Sequence, residues 1–155
     1  MTESENAQEN QPENVIVETR FGDIEFAWDK AIYMPIGLLG FAEHHVFGLA
    51  NIPGQTDVQF KLYQSLTDAH MSFIISPYDL RSGVYSDHDL EVASKGVAVP
   101  IEHMTILLVV TIRSNGEGGV KMSVNLQAPI IVDTERQVAW QYIMRNDKYP
   151  VQQDI

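Results

Sequence analysis

Cysteine is absent from this 155-residue chain, and that single lack removes disulfide frameworks, thiolate metal sites and cysteine nucleophiles together. Basic residues are scarce: 10 Lys and Arg stand against 21 Asp and Glu, for a net charge of −11. Nucleic acid is bound mainly by cations at phosphates, so this balance argues against direct nucleic-acid binding. It favours solubility and long-range attraction to basic partners. Long apolar runs are missing as well. The longest, Ile106-Leu107-Leu108-Val109-Val110, falls far short of the roughly 20 residues that a spanning helix needs. Met1 to Asn10 contain neither a positive n-region nor an apolar h-region, so the expectation is a cytoplasmic protein with no secretory signal and no membrane contact.

What is present fits one domain with a single core, since 45% of the residues are hydrophobic and a chain of this length buries roughly two-thirds of its unfolded surface. Residues 1–13 are polar, with Glu3, Glu5, Glu9 and Glu13; they cannot bury enough apolar area to offset ordering and are expected as a disordered acidic tail. The remaining residues still carry −7. Residues 14–150 are expected to form the domain, with 151–155 as a short C-terminal tail.

Strand signals dominate the domain. Val15–Arg20 and Asp23–Trp28 flank Phe21-Gly22 and predict a hairpin, with Ile24, Phe26 and Trp28 on one face. Residues 29–35 read as an irregular connection. Ile36-Gly37-Leu38-Leu39-Gly40-Phe41 is apolar but twice interrupted by glycine, which suits a packed turn leading into a strand at Val46–Ile52. Phe60–Leu66 and Met71–Ser76 predict two strands, the second stopped by Pro77. Ser86 before Asp87-His88-Asp89-Leu90 reads as a helix cap, and Gly96 as its C-terminal cap, giving one short helix near Asp87–Lys95. Met104–Arg113 and the alternating Val120, Met122, Val124 and Leu126 flank a Gly-rich hairpin loop; Ile130–Val132 and Val138–Ile143 complete the set. The expected fold is all-β and mainly antiparallel: a small β-barrel of roughly eight strands with one short α-helix.

Reactive constellations are sparse. Gly116-Glu117-Gly118-Gly119-Val120-Lys121 departs from a phosphate-binding loop, because Val120 separates the last glycine from the lysine and a strand pattern follows. His44, His45, His70, His88 and His103 lack zinc-type spacing, so no metal is expected. Ser65 lacks the flanking glycines of a nucleophile elbow. No cofactor and no catalytic residue are assigned.

Four stretches, in order and suitably spaced, resemble the FliW family of flagellar assembly factors. They are Thr19-Arg20-Phe21-Gly22-Asp23-Ile24 with Ile36 to Phe41; Phe60-Lys61-Leu62-Tyr63-Gln64-Ser65 with Met71 to Pro77; Tyr85 with Asp87 to Leu90; and Asn125-Leu126-Gln127-Ala128-Pro129-Ile130-Ile131-Val132 with Gln137-Val138. Departures from the family's pattern are Ala42 before Glu43, Tyr63 in place of leucine, and Arg136 before Gln137. The resemblance implies a β-barrel that binds flagellin in the cytoplasm. It also implies binding to the RNA-binding translational repressor CsrA, so that flagellin translation follows flagellin export. It implies a chaperone-like, non-enzymatic protein. A monomer is the default expectation, because closing a barrel leaves no obligatory edge.

Three places are candidate partner contacts. Leu38, Leu39 and Phe41 sit on a glycine-permitted turn, which either presents an anchor or is buried. Gln64 and Ser65 are polar in an apolar neighbourhood; they either satisfy buried backbone or offer hydrogen bonds to a strand-like partner. Asn125, Leu126 and Pro129 surround a bend, open equally to an interface role and a fold role. Two competing readings are a small-ligand β-barrel with an interior metabolite site, and a hydrolase using paired carboxylates.

Overall fold

The computed structural model describes residues 13–55 and 59–155. The acidic tail expected over residues 1–13 therefore lies outside the described residues, Glu13 excepted. The strands are β1 (Asn14–Thr19), β2 (Gly22–Ala27), β3 (Ile32–Tyr33), β4 (Val46–Asn51), β5 (Lys61–Ser65), β6 (Ser72–Pro77), β7 (Met104–Ser114), β8 (Val120–Val124), β9 (Ile130–Asp133), β10 (Val138–Gln141) and β11 (Gln153–Asp154). Among the described residues there is one α-helix, α1 (Asp87–Val97), between β6 and β7.

β1 and β2 form a separate ribbon, while β3 to β11 join one sheet in the order β11-β8-β7-β6-β5-β4-β3-β10-β9. Pairing is antiparallel except between β3 and β10. β9 also pairs with β7, Met104 to Leu107 opposite Asp133 to Ile130. The sheet therefore returns on itself through β3, β4, β5, β6, β7, β9 and β10. The long β7 makes this possible by splitting one edge: its first part holds β9 and its second part, from Val110, holds β8.

Side-chain alternation then sorts residues into two cores. Ile32, Phe47, Tyr63, Ile75, Leu107, Ile130, Val132 and Ala139 pack together with Met34 and Leu38, so every strand of the circuit sends a side chain inward. Their neighbours Ile106, Leu108 and Ile131 point the other way, onto Leu90 and Ala93 of α1, Val124, Met144 and Tyr149. A third cluster seats the ribbon, with Val17 and Phe26 against Leu66. Gly48 admits that contact: a Cβ there would lie 2.4 Å from the Phe26 ring.

Several expectations change in detail. Trp28 leaves the strand for a 3-10 turn, Trp28–Lys30, and is 36% exposed. The connection at 29–35 contains β3, pinned by Tyr33 N–H donating to the Gln137 carbonyl at 2.9 Å. Ser86 caps α1 as its sequence predicts, accepting from Asp89 N–H at 3.1 Å. The C-terminal cap is Ala98, left-handed at φ 57°, and not Gly96. Gly96 is kept small for a different reason, since a Cβ there would meet the Tyr142 ring at 2.7 Å. The 151–155 segment, expected as a tail, carries β11.

Tyr63 stacks on Phe47 at 4.5 Å between ring centroids. Its hydroxyl is buried with no hydrogen-bond partner among the described residues, and burial pushes its pKa far above the usual tyrosine value. A polar group desolvated without a partner opposes folding. Tyr63→Phe is expected to leave the urea midpoint unchanged or raise it, by up to about 1 kcal/mol in stability; a lowered midpoint would mean that the hydroxyl is satisfied in solution.

Candidate protein-binding site

The turn between β3 and β4 depends on Gly37. Its φ is +74°, and a Cβ would stand 2.8 Å from the Ala42 backbone. The tight fold this allows pairs Leu38 with Phe41. It drives Leu38 into the interior core, 4% exposed, and turns Ile36 (71%) and Leu39 (56%) outward. Phe41 is 36% exposed and packs edge-on against Phe73, 5.6 Å between centroids.

Ile36 and Leu39 form one wall of a pocket of about 190 Å³, whose other wall is Trp140 and Gln141 of β10. Gln141 braces it: Leu39 N–H donates to Gln141 Oε1 at 2.8 Å, while Gln141 Nε2 donates to the Ala128 carbonyl at 3.0 Å. One amide thus ties the 36–42 turn to the 125–129 bend, bringing two of the three candidate stretches together.

In the bend, Asn125 Oδ1 accepts from Ala128 N–H at 3.0 Å, and the Pro129 carbonyl accepts from Tyr142 N–H at 2.9 Å. Leu126 and Pro129 are buried and Asn125 is half-buried. Asn125 thus shapes the bend, and the Ala128 carbonyl is its tie to the pocket through Gln141. Gln64 and Ser65 are fully buried. Ser65 Oγ accepts from the N–H groups of Thr67 and Asp68. Gln64 Nε2 lies among the carbonyls of Ser65, Asp68, Ala69 and Met71, at 3.0 to 3.3 Å. Both hold the 65–71 turn, and neither lines the pocket.

Ile36, Trp140 and Gln141 were not among the expected contacts. Trp140 and Gln141 are about a hundred residues from Leu39 in sequence, and only the parallel β3–β10 pairing brings their strand alongside. A larger depression of about 510 Å³, between Phe21, Phe60, Ile74, Ile112 and Met122, contains none of the candidate residues.

Ionisable groups are tuned toward structure. Hydrogen bonds from the Tyr149 hydroxyl and then the Ser86 hydroxyl hold Asp89 below the usual carboxylate range. Asp89 also accepts from Asn146, so the start of α1 is tied to the chain before β11. The Arg136 side chain does the same for Asp133, and Arg81 N–H for the exposed Asp79. Each is favoured as an anion, the opposite of what a general acid requires. Among the described residues, no group of three His, Asp or Glu side chains is placed to hold a metal, and no helix is long and apolar enough to cross a membrane.

Residues 15–155 match the family described as "FliW protein". A flagellar assembly factor FliW from Syntrophus aciditrophicus is 31% identical over 140 residues, covering 88% of this chain and 84% of its own. One from Oceanobacillus iheyensis is 28% identical over 141 residues, covering 86% and 88%. The crystal structure of a flagellar assembly factor FliW superposes with a TM-score of 0.66 at 20% identity, covering 90% of this chain and 96% of the other. That likeness concerns the fold.

Proposed function

The chain belongs to the FliW family, and from that premise we propose that it is a flagellar assembly factor that works in the cytoplasm by binding flagellin, seating one apolar flagellin side chain in the Leu39–Trp140 pocket. The observation that supports this most is the combination of exposure and bracing. Ile36 and Leu39 present apolar surface to solvent, yet their turn is fixed by Gly37 and Gln141. A rigid apolar pocket the size of one side chain, bordered by tryptophan, is the usual centre of a protein–protein hot spot. Pre-organisation limits the entropy lost on binding.

The same protein, once freed of flagellin, binds the repressor CsrA and keeps it from flagellin mRNA. The net charge of −11 supports that role. An acidic body beside an RNA-binding surface repels phosphates, within a screening length of about 8 Å at physiological salt. The interior-ligand reading is disfavoured because side chains from every strand of the circuit fill its inside. A general-acid role for Asp79, Asp89 or Asp133 is disfavoured, because hydrogen bonds favour each as an anion.

Size-exclusion chromatography with light scattering tests the first step. The chain alone is expected to elute as a monomer, and with flagellin as a one-to-one complex. Separate elution of the two proteins at micromolar concentrations would remove the proposal.

A further inference from the structure

We propose that the edge of β8 that β11 pairs is a strand-acceptor surface. It is covered by the chain's own residues 151–155 and takes, in exchange, an extended partner segment with a hydrophobic–acidic–hydrophobic pattern.

The cover is slight. β11 pairs with β8 at two positions, Gln153 opposite Val124 and Asp154 opposite Ser123. Around them, Leu126 N–H donates to the Pro150 carbonyl at 3.0 Å and Ile155 N–H to the Met122 carbonyl at 3.1 Å. All five residues of the segment are exposed. Its side chains therefore add little burial, and exposed ion pairs add little either. Val120, at the start of β8, is 66% exposed. An incoming strand would make the bonds that β11 makes, the ordinary mode of strand addition.

The chemistry of the occupant follows from what lines the edge. Arg113 and Lys121 stand directly opposite each other in the β7–β8 pair, an unfavourable like-charge arrangement and a local concentration of positive charge on an acidic protein. Asp154 Oδ2 answers it, 3.3 Å from Lys121 Nζ. An acidic residue at that position is thus selected. The neighbouring positions, Gln153 and Ile155, share the opposite face of the strand and border a groove whose surface comes mostly from Tyr78, Val84, Leu108, Val124 and Leu126, with Gln59, Ser76, Asp79 and Ser82 beside them. Ile155 suits the apolar part of that lining, to which Gln153 adds no apolar side chain. The chain's own segment is a serviceable but imperfect occupant, and a partner with an apolar residue in place of Gln153 displaces it. This surface is separate from the Leu39–Trp140 pocket, and the inference does not depend on what that pocket binds.

The probe is the blocked pentapeptide VQIDI, titrated into isotope-labelled protein and followed by amide chemical shifts. The full chain's own segment competes at an effective concentration on the order of millimolar. A chain lacking residues 151–155 is therefore expected to bind at least ~10-fold more tightly than the full chain, with the shifts centred on residues 120–126. Asp154→Lys in the full chain loosens the segment without shortening the protein; it is expected to bind more tightly than the unmodified chain, and decides the matter if the shortened chain does not fold. Lysine in place of the peptide's aspartate is expected to weaken binding, since it sets a third cation beside Arg113 and Lys121. Equal affinity for modified and full chains, shifts away from β8, or no saturable shift with any of them up to several millimolar would each overturn the proposal.

Discussion

The double substitution Ile36→Asp with Leu39→Asp is expected to weaken flagellin binding by about 100-fold or more while leaving the fold intact. Both side chains are largely in solvent, 71% and 56% exposed, so neither contributes much core burial. The Leu39 N–H that bonds Gln141 belongs to the backbone and survives the change. Surface substitutions of this kind typically alter stability by about 0.5 kcal/mol or less. The binding loss is different in kind, because a carboxylate covered by the partner's apolar side chain must be desolvated without a partner of its own. A loss of about 2.8 kcal/mol corresponds to that 100-fold. Isothermal titration against flagellin, with circular dichroism melts of the same samples, separates the two effects. Ile16→Asp is the control: Ile16 is just as exposed, at 67%, but lies on β1, and its substitution is expected to leave affinity unchanged. Equal losses for the control and the double variant would mean that general acidity, and not the pocket, governs binding.

Gln64→Glu is expected to cost more than about 3 kcal/mol at neutral pH, a large share of the roughly 5–15 kcal/mol that holds a domain folded. The Gln64 amide nitrogen has two N–H groups and sits among four carbonyl oxygens. A carboxylate at the same place turns the donors into a buried negative charge facing acceptors. Gln64→Leu removes the donors but adds no charge, and it also removes Gln64 Oε1, which is buried without a partner among the described residues; its cost is expected to be about 1–3 kcal/mol. The pH dependence has a definite sign. Burial among carbonyls raises the new carboxyl's folded-state pKa above its unfolded value. The Gln64→Glu variant is therefore least impaired at low pH, where the group is neutral and can donate, and loses stability as pH rises through that raised pKa. Urea unfolding of the three proteins across pH measures this order; a Gln64→Glu variant as stable as the parent at neutral pH would show that the 65–71 turn does not depend on the amide.

The two substitutions also mark where sequence reading succeeds and where it stops. Local chemistry was legible. The β1–β2 hairpin and the Ser86 cap each rest on a few neighbouring residues, and both appear in the structure, although the hairpin's turn residues are Arg20 and Phe21 and Gly22 opens β2. The strand read from Val120 to Leu126 ends at Val124, with Val120 exposed and Ser123 buried. The mainly antiparallel sheet and the one α-helix among the described residues agree with the sequence reading. Gly96 misled because a glycine near a helix end signals a cap, whereas here its lack of a side chain serves the Tyr142 ring. β3 and β11 were missed because each has only two residues, held by partners distant in sequence. For the candidate site, the glycine-bracketed turn at Leu38, Leu39 and Phe41 was visible, but its division into a buried Leu38 and an outward Leu39 was not. The opposing wall depends on Trp140 and Gln141, which no local pattern links to residue 39. Gln64 and Ser65 were open to two readings, and their hydrogen bonds are those of a turn's internal support.

Hydrogen–deuterium exchange of the chain, alone and saturated with flagellin, tests the binding surface most directly. On complex formation, exchange is expected to slow at residues 36–42 and 125–129 and around Trp140-Gln141, with little change on the β1–β2 ribbon. A complex that forms in full yet leaves exchange at those residues unaltered would contradict the assignment of the pocket.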